Sequence, residues 1–196
     1  IVNADIAEIV PNDLGDNLIA GVRNTVRPQS VRRLQRDFNL NGSQYINAGV
    51  LVINIRRWID EGIEEKCFHM LRITPSEKLL LCDQDILNAV CKDKIYYLDD
   101  AWNFQWHMIY GDREFQALSK RVREKVGDNF KILHFASNLK PWLNPDLSLS
   151  GYFWENARQT PFYEEILFIN LKNGEKRSQR ETNPSLNLAN RLEQAN

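Results

Sequence analysis

Apolar positions fall into short blocks whose spacing switches between the two secondary-structure periods. Leu18 to Val22 is a compact apolar run suited to a buried strand, and Tyr45 to Ile55 contains a longer, continuous one. An unbroken run of that kind, rather than an alternating one, predicts a strand covered on both faces and hence a sheet lying between helices. Lys94 to Leu98 and Phe130 to Phe135 read as further strands. Between these blocks the period lengthens. Pro28 to Phe38 is basic and helical, with Pro28 acceptable in a first turn and Asn39 to Gly42 closing it. Trp58, Ile59, Ile63, Cys67, Met70 and Leu71 recur at helical spacing through Ile73, until Pro75 breaks the pattern. Asp83 reads as the N-cap of a helix carrying Ile86, Leu87 and Val90. A charged helix around Glu114 to Val126 and closing helices over Gly151 to Arg158 and Phe162 to Ile169 complete the set, and Asp5 caps a helical turn from Ile6 to Val10. After Leu171 apolar residues become scarce, so 171–196 is expected to be a polar tail, mobile or amphipathic.

Composition narrows the class. At 196 residues with 43% hydrophobic, the chain can bury a core and reads as one globular domain with some tail. Its 25 basic residues nearly cancel 26 acidic ones, which argues against nucleic acid as partner. The basic stretch Arg27, Arg32, Arg33 and Arg36 reads as a solvated helix face. Cys67, Cys82 and Cys91 are odd in number and without CxxC spacing, which fits a reducing, cytoplasmic compartment. No apolar run approaches the ~20 residues of a membrane span. Peripheral association at the inner face of the cytoplasmic membrane stays open.

Four clusters carry candidate chemistry. In Asn47-Ala48-Gly49, two small residues allow close approach to the backbone and Asn47 offers donors and an acceptor, suiting either a sugar hydroxyl or a β-bulge. Asp83-Gln84-Asp85 brackets an amide with two carboxylates at a helix start; the acids either point into a cleft or serve as cap and first-turn charge. In His134 to Trp142, a His at a strand's end is placed to bind a divalent metal, and Lys140 to offset a diphosphate's charge. A satisfied His and a packed Lys-Pro-Trp turn are the plain alternative. Trp102-Asn103-Phe104-Gln105-Trp106 combines aromatic faces with amides, as a carbohydrate cleft or a packed core would.

Taken in order, these clusters resemble glycosyltransferase family 8, the bacterial lipopolysaccharide galactosyl- and glucosyltransferases, with glycogenin more distant. Tyr45 to Trp58 is similar to the family's Y-F-N-A-G-V-L-L-I-N-L-x-x-W segment, Asp83 to Asn88 to its D-Q-D-I-L-N, and His134 to Trp142 to its H-(F/Y)-x-G-x-x-K-P-W. Phe153-Trp154 through Pro161-Phe162-Tyr163 is similar to the closing helices of many members. The resemblance implies a Rossmann-like α/β fold of the GT-A type with a mixed sheet, a UDP-sugar donor, a saccharide acceptor, Mn²⁺ or Mg²⁺, and a hexosyl transfer that retains anomeric configuration. His134 would be the metal ligand; Asn47, Ala48, Gly49, Ser137 and Lys140 would contact donor sugar or nucleotide; Asp83, Gln84 and Asp85 would surround the reacting sugar. Trp102, Asn103 and Gln105 would face the acceptor.

Two departures qualify it. The family's D-x-D is absent, and Asp5-Ile6-x-x-Ile9 is similar to the segment that follows D-x-D, so the motif is expected before Ile1. Residues 1–170 would then be the C-terminal two-thirds of the transferase domain, and the chain alone could be inactive. Ser137 stands where the family has Gly. A self-glucosylating, glycogenin-like protein and an inactive sugar- or partner-binding module are the competing readings.

Overall fold

The central strand, β1 (Ile19–Arg23), sends successive side chains to opposite sides of its sheet, and both sides are apolar. Ala20 and Val22 pack with Ile9, Leu98, Trp102 and Ile132 on one side, whereas Leu18 and Ile19 meet Ile46, Ile63, Cys91 and Ile95 on the other. Each fully buried Ile or Leu here contributes roughly 1.5–3 kcal/mol. Gly21 lets Ile46 pack closely: a Cβ there would lie 2.6 Å from Ile46 Cδ1 and force that side chain to shift. The computed structural model describes residues 1–11, 13–106, 113–136 and 139–182, with the backbone alone over 173–182.

From the first residue onward, Asp5 caps a 3₁₀ turn (Ile6–Ile9), accepting from the Ala7 N–H at 2.9 Å. After β1 come α1 (Pro28–Phe38), β2 (Ile46–Ile53), α2 (Ile55–Asp60), α3 (Ile63–Ile73), α4 (Asp83–Val90) and β3 (Ile95–Tyr97). A 3₁₀ turn (Asp100–Asn103) leads to β4 (Phe104–Gln105), then α5 (Arg113–Leu118), α6 (Lys120–Val126), β5 (Leu133–His134), α7 (Ser150–Ala157) and α8 (Tyr163–Thr182). The sheet order is β2-β1-β3: β1 runs antiparallel to β2 and parallel to β3, so the sheet is mixed. β4 and β5 form a separate parallel pair that sets Gln105 beside His134.

The predicted ends of α1 hold because both carry local signals: Pro28 sits in the first turn, and Asn39 adopts a left-handed conformation that returns its N–H to the carbonyls of Leu34 and Gln35. The helix expected from Trp58 to Ile73 is instead two, separated at Gly62, whose φ of 59° ends one and starts the next. The charged helix is likewise split, at Ser119. β2 is an edge strand and is not covered throughout: Gly49 and Ile53 are exposed.

By contacts the chain divides into two compact units, Val2–Ala136 and a second comprising Ile1 and Ser137–Asn196. Within the second, Trp142, Phe153, Trp154 and Tyr163 form a run of aromatic pairs with centroids 5.2–6.4 Å apart, and Asn170 donates to the Trp142 carbonyl at 3.0 Å. Helix α8 continues past Leu171, where a polar tail was expected, to Thr182.

Candidate functional site

Four segments far apart in sequence meet through a chain of side-chain amides. At the start of β2, Asn47 donates from Nδ2 to Gln84 Oε1 at 3.0 Å, and its own oxygen accepts from the Gly49 N–H at 3.0 Å and from Asn103 Nδ2 at 2.8 Å. The Ala48 N–H also donates to Gln84 Oε1, at 3.1 Å. Asn103 Oδ1 in turn lies 2.9 Å from His134 Nδ1. Asn47, Gln84 and Asn103 are buried, with Asn103 at 0% exposure, and His134 is half-buried at the end of β5. Buried amides without partners cost about 1–3 kcal/mol each, so mutual satisfaction is what lets them sit here. What approaches the bare backbone at Gly49 is the His134 ring: a Cβ at this glycine would fall 2.3 Å from His134 Cε1.

Helix α4 presents Gln84 to this chain because its first turn is bound on three sides. Asp85, fully buried, accepts from both terminal nitrogens of Arg33 at 3.0 Å, from the Tyr45 hydroxyl at 2.7 Å and from the Leu81 N–H at 3.0 Å. Burial, and then the Asp85 carboxylate, push the Tyr45 hydroxyl far above its ordinary range, so it stays a donor. One turn along α4, Asn88 accepts from the Ile46 N–H at 2.8 Å and donates to the Ile46 carbonyl at 2.9 Å, fixing the helix to β2. The N-cap is Cys82, not Asp83, and Cys82 has φ 46° and ψ −114°, a region that side-chain-bearing residues rarely enter and that costs on the order of 1–3 kcal/mol. Arg33 was expected on a solvated face and is instead buried against Asp85; Arg32 and Arg36 are exposed.

The family model described as Glycosyl transferase family 8 matches residues 1–146. The chain belongs to that family. General stress protein A of Bacillus subtilis (strain 168) is 27% identical over 144 residues, which cover 72% of this chain and 49% of that protein. Lipopolysaccharide 1,3-galactosyltransferase of Salmonella typhimurium (strain LT2) is 29% identical over 122 residues, 61% of this chain and 34% of that protein. The apo structure of the bifunctional glycosyltransferase WbbM superposes with a TM-score of 0.74 at 26% identity, over 87% of this chain and 33% of that one. The chain thus spans between a third and a half of the length of these relatives. Its mixed sheet flanked by helices is the GT-A fold.

In this family 8 chain the remaining predicted residues part company. Asp83 is exposed and lines a cavity of ≈ 670 Å³ between α3 and the start of α4, with Trp58, Phe68, Leu71 and Ile86 among its walls. Trp102 and Gln105 are turned inward at 5% and 1% exposure, Trp102 into the core beside β1 and Gln105 donating to Asn24 Oδ1 at 3.1 Å. Asn103 is buried as well, and the Trp102 ring packs within the core. Lys140 belongs to the second unit, where its Nζ lies 5.8 Å from the Trp142 ring centroid. Ser137 lies outside the described residues. Among the described residues no group of three or more His, Cys, Asp or Glu is placed to hold a metal. His134 nonetheless has one feature of a ligand, a ring nitrogen engaged by an amide oxygen, as metal-bound imidazoles are usually held. Sequence reasoning passed over Arg33, Tyr45 and Asn88. Asn88 alone left a signal, four residues after Gln84 and so on its face of α4.

Proposed function

We propose that this chain forms part of a retaining, metal-dependent glycosyltransferase that moves a hexose, galactose or glucose, from a UDP-sugar to a saccharide acceptor such as lipopolysaccharide. The observation that carries the reading is the amide chain from Gln84 through Asn47 and Asn103 to His134, wrapped around an exposed Gly49. A relative named for lipopolysaccharide galactosyl transfer supports the acceptor class. In this reading residues 1–170 belong to the transferase domain, and the protein is cytoplasmic, with peripheral association at the inner face of the membrane open to it. Among the described residues no helix is long and apolar enough to cross it.

His134 would contribute one ligand to Mn²⁺ or Mg²⁺, the other ligands coming from outside the described residues. The ion, when bound, supplies positive charge to the departing diphosphate. Lys140 and Ser137 would contact the diphosphate, while Asn47, Ala48 and Gly49 would border the donor sugar. The acceptor hydroxyl oxygen bonds to the anomeric carbon as the bond from that carbon to the β-phosphate oxygen breaks, and the hydroxyl proton passes to the departing phosphate. Retention requires attack on the face the phosphate leaves, or two successive inversions. The second route needs a protein nucleophile. Gln84 Oε1 already accepts two hydrogen bonds and Asp85 four, so neither oxygen set is poised for attack. We therefore favour same-face attack, with Asp83 and Gln84 bordering the sugar and Asp85 holding α4 in place.

Calorimetric titration with UDP, with and without Mn²⁺, tests the reading. Manganese-dependent binding that is lost in His134→Ala and weakened in Lys140→Ala is expected. UDP binding indifferent to both Mn²⁺ and His134→Ala would refute it.

A further inference from the structure

The direction of every hydrogen bond in the amide chain is decided at its strand end. A main-chain N–H can only donate, so the Gln84 atom 3.1 Å from the Ala48 nitrogen is its oxygen, and so is the Asn47 atom 3.0 Å from the Gly49 nitrogen. Asn47 then has its Nδ2 left for Gln84, and Asn103 must meet the Asn47 oxygen with a nitrogen, at 2.8 Å. A primary amide that spends its nitrogen on one side offers its oxygen on the other. The atom 2.9 Å from His134 Nδ1 is therefore Asn103 Oδ1, which only accepts. His134 Nδ1 must carry a hydrogen, and in the neutral ring the lone pair sits on Nε2. Turning the Asn103 amide over would set oxygen against oxygen and nitrogen against nitrogen–hydrogen at a fully buried site.

We propose that Asn103 is a positioning residue: it relays a polarity fixed by the Ala48 and Gly49 N–H groups to His134 and locks its Nδ1–H tautomer, the form in which Nε2 carries the lone pair that a cation-binding imidazole needs. Gly49 adds the steric half of the device, since the imidazole rests where its side chain would be. The main chain of His134 is held independently, its carbonyl accepting from Trp106 and Ala136 N–H groups at 2.9 Å. The bearing on a cation rests on the function proposed above; the Nδ1–H to Asn103 Oδ1 pairing rests on the geometry of the amide chain.

The test is long-range ¹H–¹⁵N correlation spectroscopy of the chain labelled at histidine, recorded well above the ordinary imidazole pKa of about 6.5. With three histidines in the sequence, His134→Gln identifies the signals. His134 is expected as the Nδ1–H tautomer in the parent chain. Asn103→Ala is expected to convert it to a mixture or to the Nε2–H form, and Asn103→Asp, which restores an acceptor at the same place, to return Nδ1–H. An Nε2–H signal in the parent chain, or a pure Nδ1–H signal in Asn103→Ala, would overturn the inference. The parent spectrum decides even where Asn103→Ala does not fold. Mn²⁺ added to the same samples separates the two readings. Selective broadening of His134, needing about 10–100-fold more Mn²⁺ in Asn103→Ala, supports both. A locked tautomer with no broadening counts against the metal and leaves the lock standing.

Discussion

Removing the Asp85 carboxylate should unfasten α4 from α1 and the start of β2. In Asp85→Ala, two Arg33 donors, the Tyr45 hydroxyl and the Leu81 N–H lose their acceptor together. The pair is dry, with side-chain exposures of 10% for Arg33 and 0% for Asp85, so water does not replace the lost oxygens. Breaking a buried ion pair by deleting one partner costs about 3–5 kcal/mol, because the survivor stays buried and unpaired. Arg33 keeps the Lys78 carbonyl at 3.0 Å, which moderates its share, while the stranded Tyr45 hydroxyl adds to the total. About 4 kcal/mol is therefore expected from a domain whose whole stability is of the order of 5–15 kcal/mol. Urea unfolding followed by tryptophan fluorescence measures it, as a lower midpoint at constant slope. Arg33→Met with Asp85→Leu, which removes both charges while filling the space, should recover most of the loss. A cost below about 1 kcal/mol for Asp85→Ala would refute the reasoning and return Asp85 to the list of groups available for chemistry.

Further outcomes follow from other details. Gly49→Ala, whose new Cβ would fall 2.3 Å from His134 Cε1, should fold normally but bind UDP with Mn²⁺ about 10–100-fold more weakly in calorimetry, and unchanged affinity would show that the ring position is unimportant. In a thiol titration of the native chain, exposed Cys82 should react first. Cys91, fully buried and pushed up to about 12 by that burial, should react only on unfolding, so equal rates would contradict the core packing. Asp99 caps the turn that carries Asn103, and hydrogen bonds from Lys125 and then the Ala101 N–H hold its carboxyl below the usual range. Its contribution is thus complete above the unfolded value of about 3.9 and is lost as pH falls below it. Amide exchange at Ala101, corrected for intrinsic rate, should accelerate only under those acid conditions.

Sequence carried far where the determinant was local. Pro28 and Asn39 marked both ends of α1, and Asp5 its 3₁₀ turn. Gly62 stood in plain view inside a helical pattern, yet apolar spacing that continues across a break cannot reveal a left-handed φ. The predicted cap at Asp83 failed as well: Cys82 is the N-cap, without a side-chain cap hydrogen bond, and Asp83 lies in the first turn. The family's three motifs named Asn47, Gln84 and His134, but not the residue that joins them. Asn103 lies 56 positions from Asn47 and 31 from His134, and no periodicity encodes such a meeting. Its aromatic neighbours left cleft and core equally open, because Trp faces suit sugars and cores alike, and only burial places Trp102 in the core.

A relay made of amides ages differently from one made of carboxylates or rings. Hydrolysis of a single side-chain amide, the slow chemical wear that makes Asn and Gln scarce in heat-adapted proteins, changes the mass by almost nothing and leaves the shape intact. In Asn47 it would replace the donor that faces Gln84 Oε1 with a second acceptor, and two oxygens would confront each other 3.0 Å apart inside the fold. Storage would then disturb the amide chain that ends at His134 long before it erased the fold, giving old preparations that look native by every optical measure and have lost the fixed polarity of that chain.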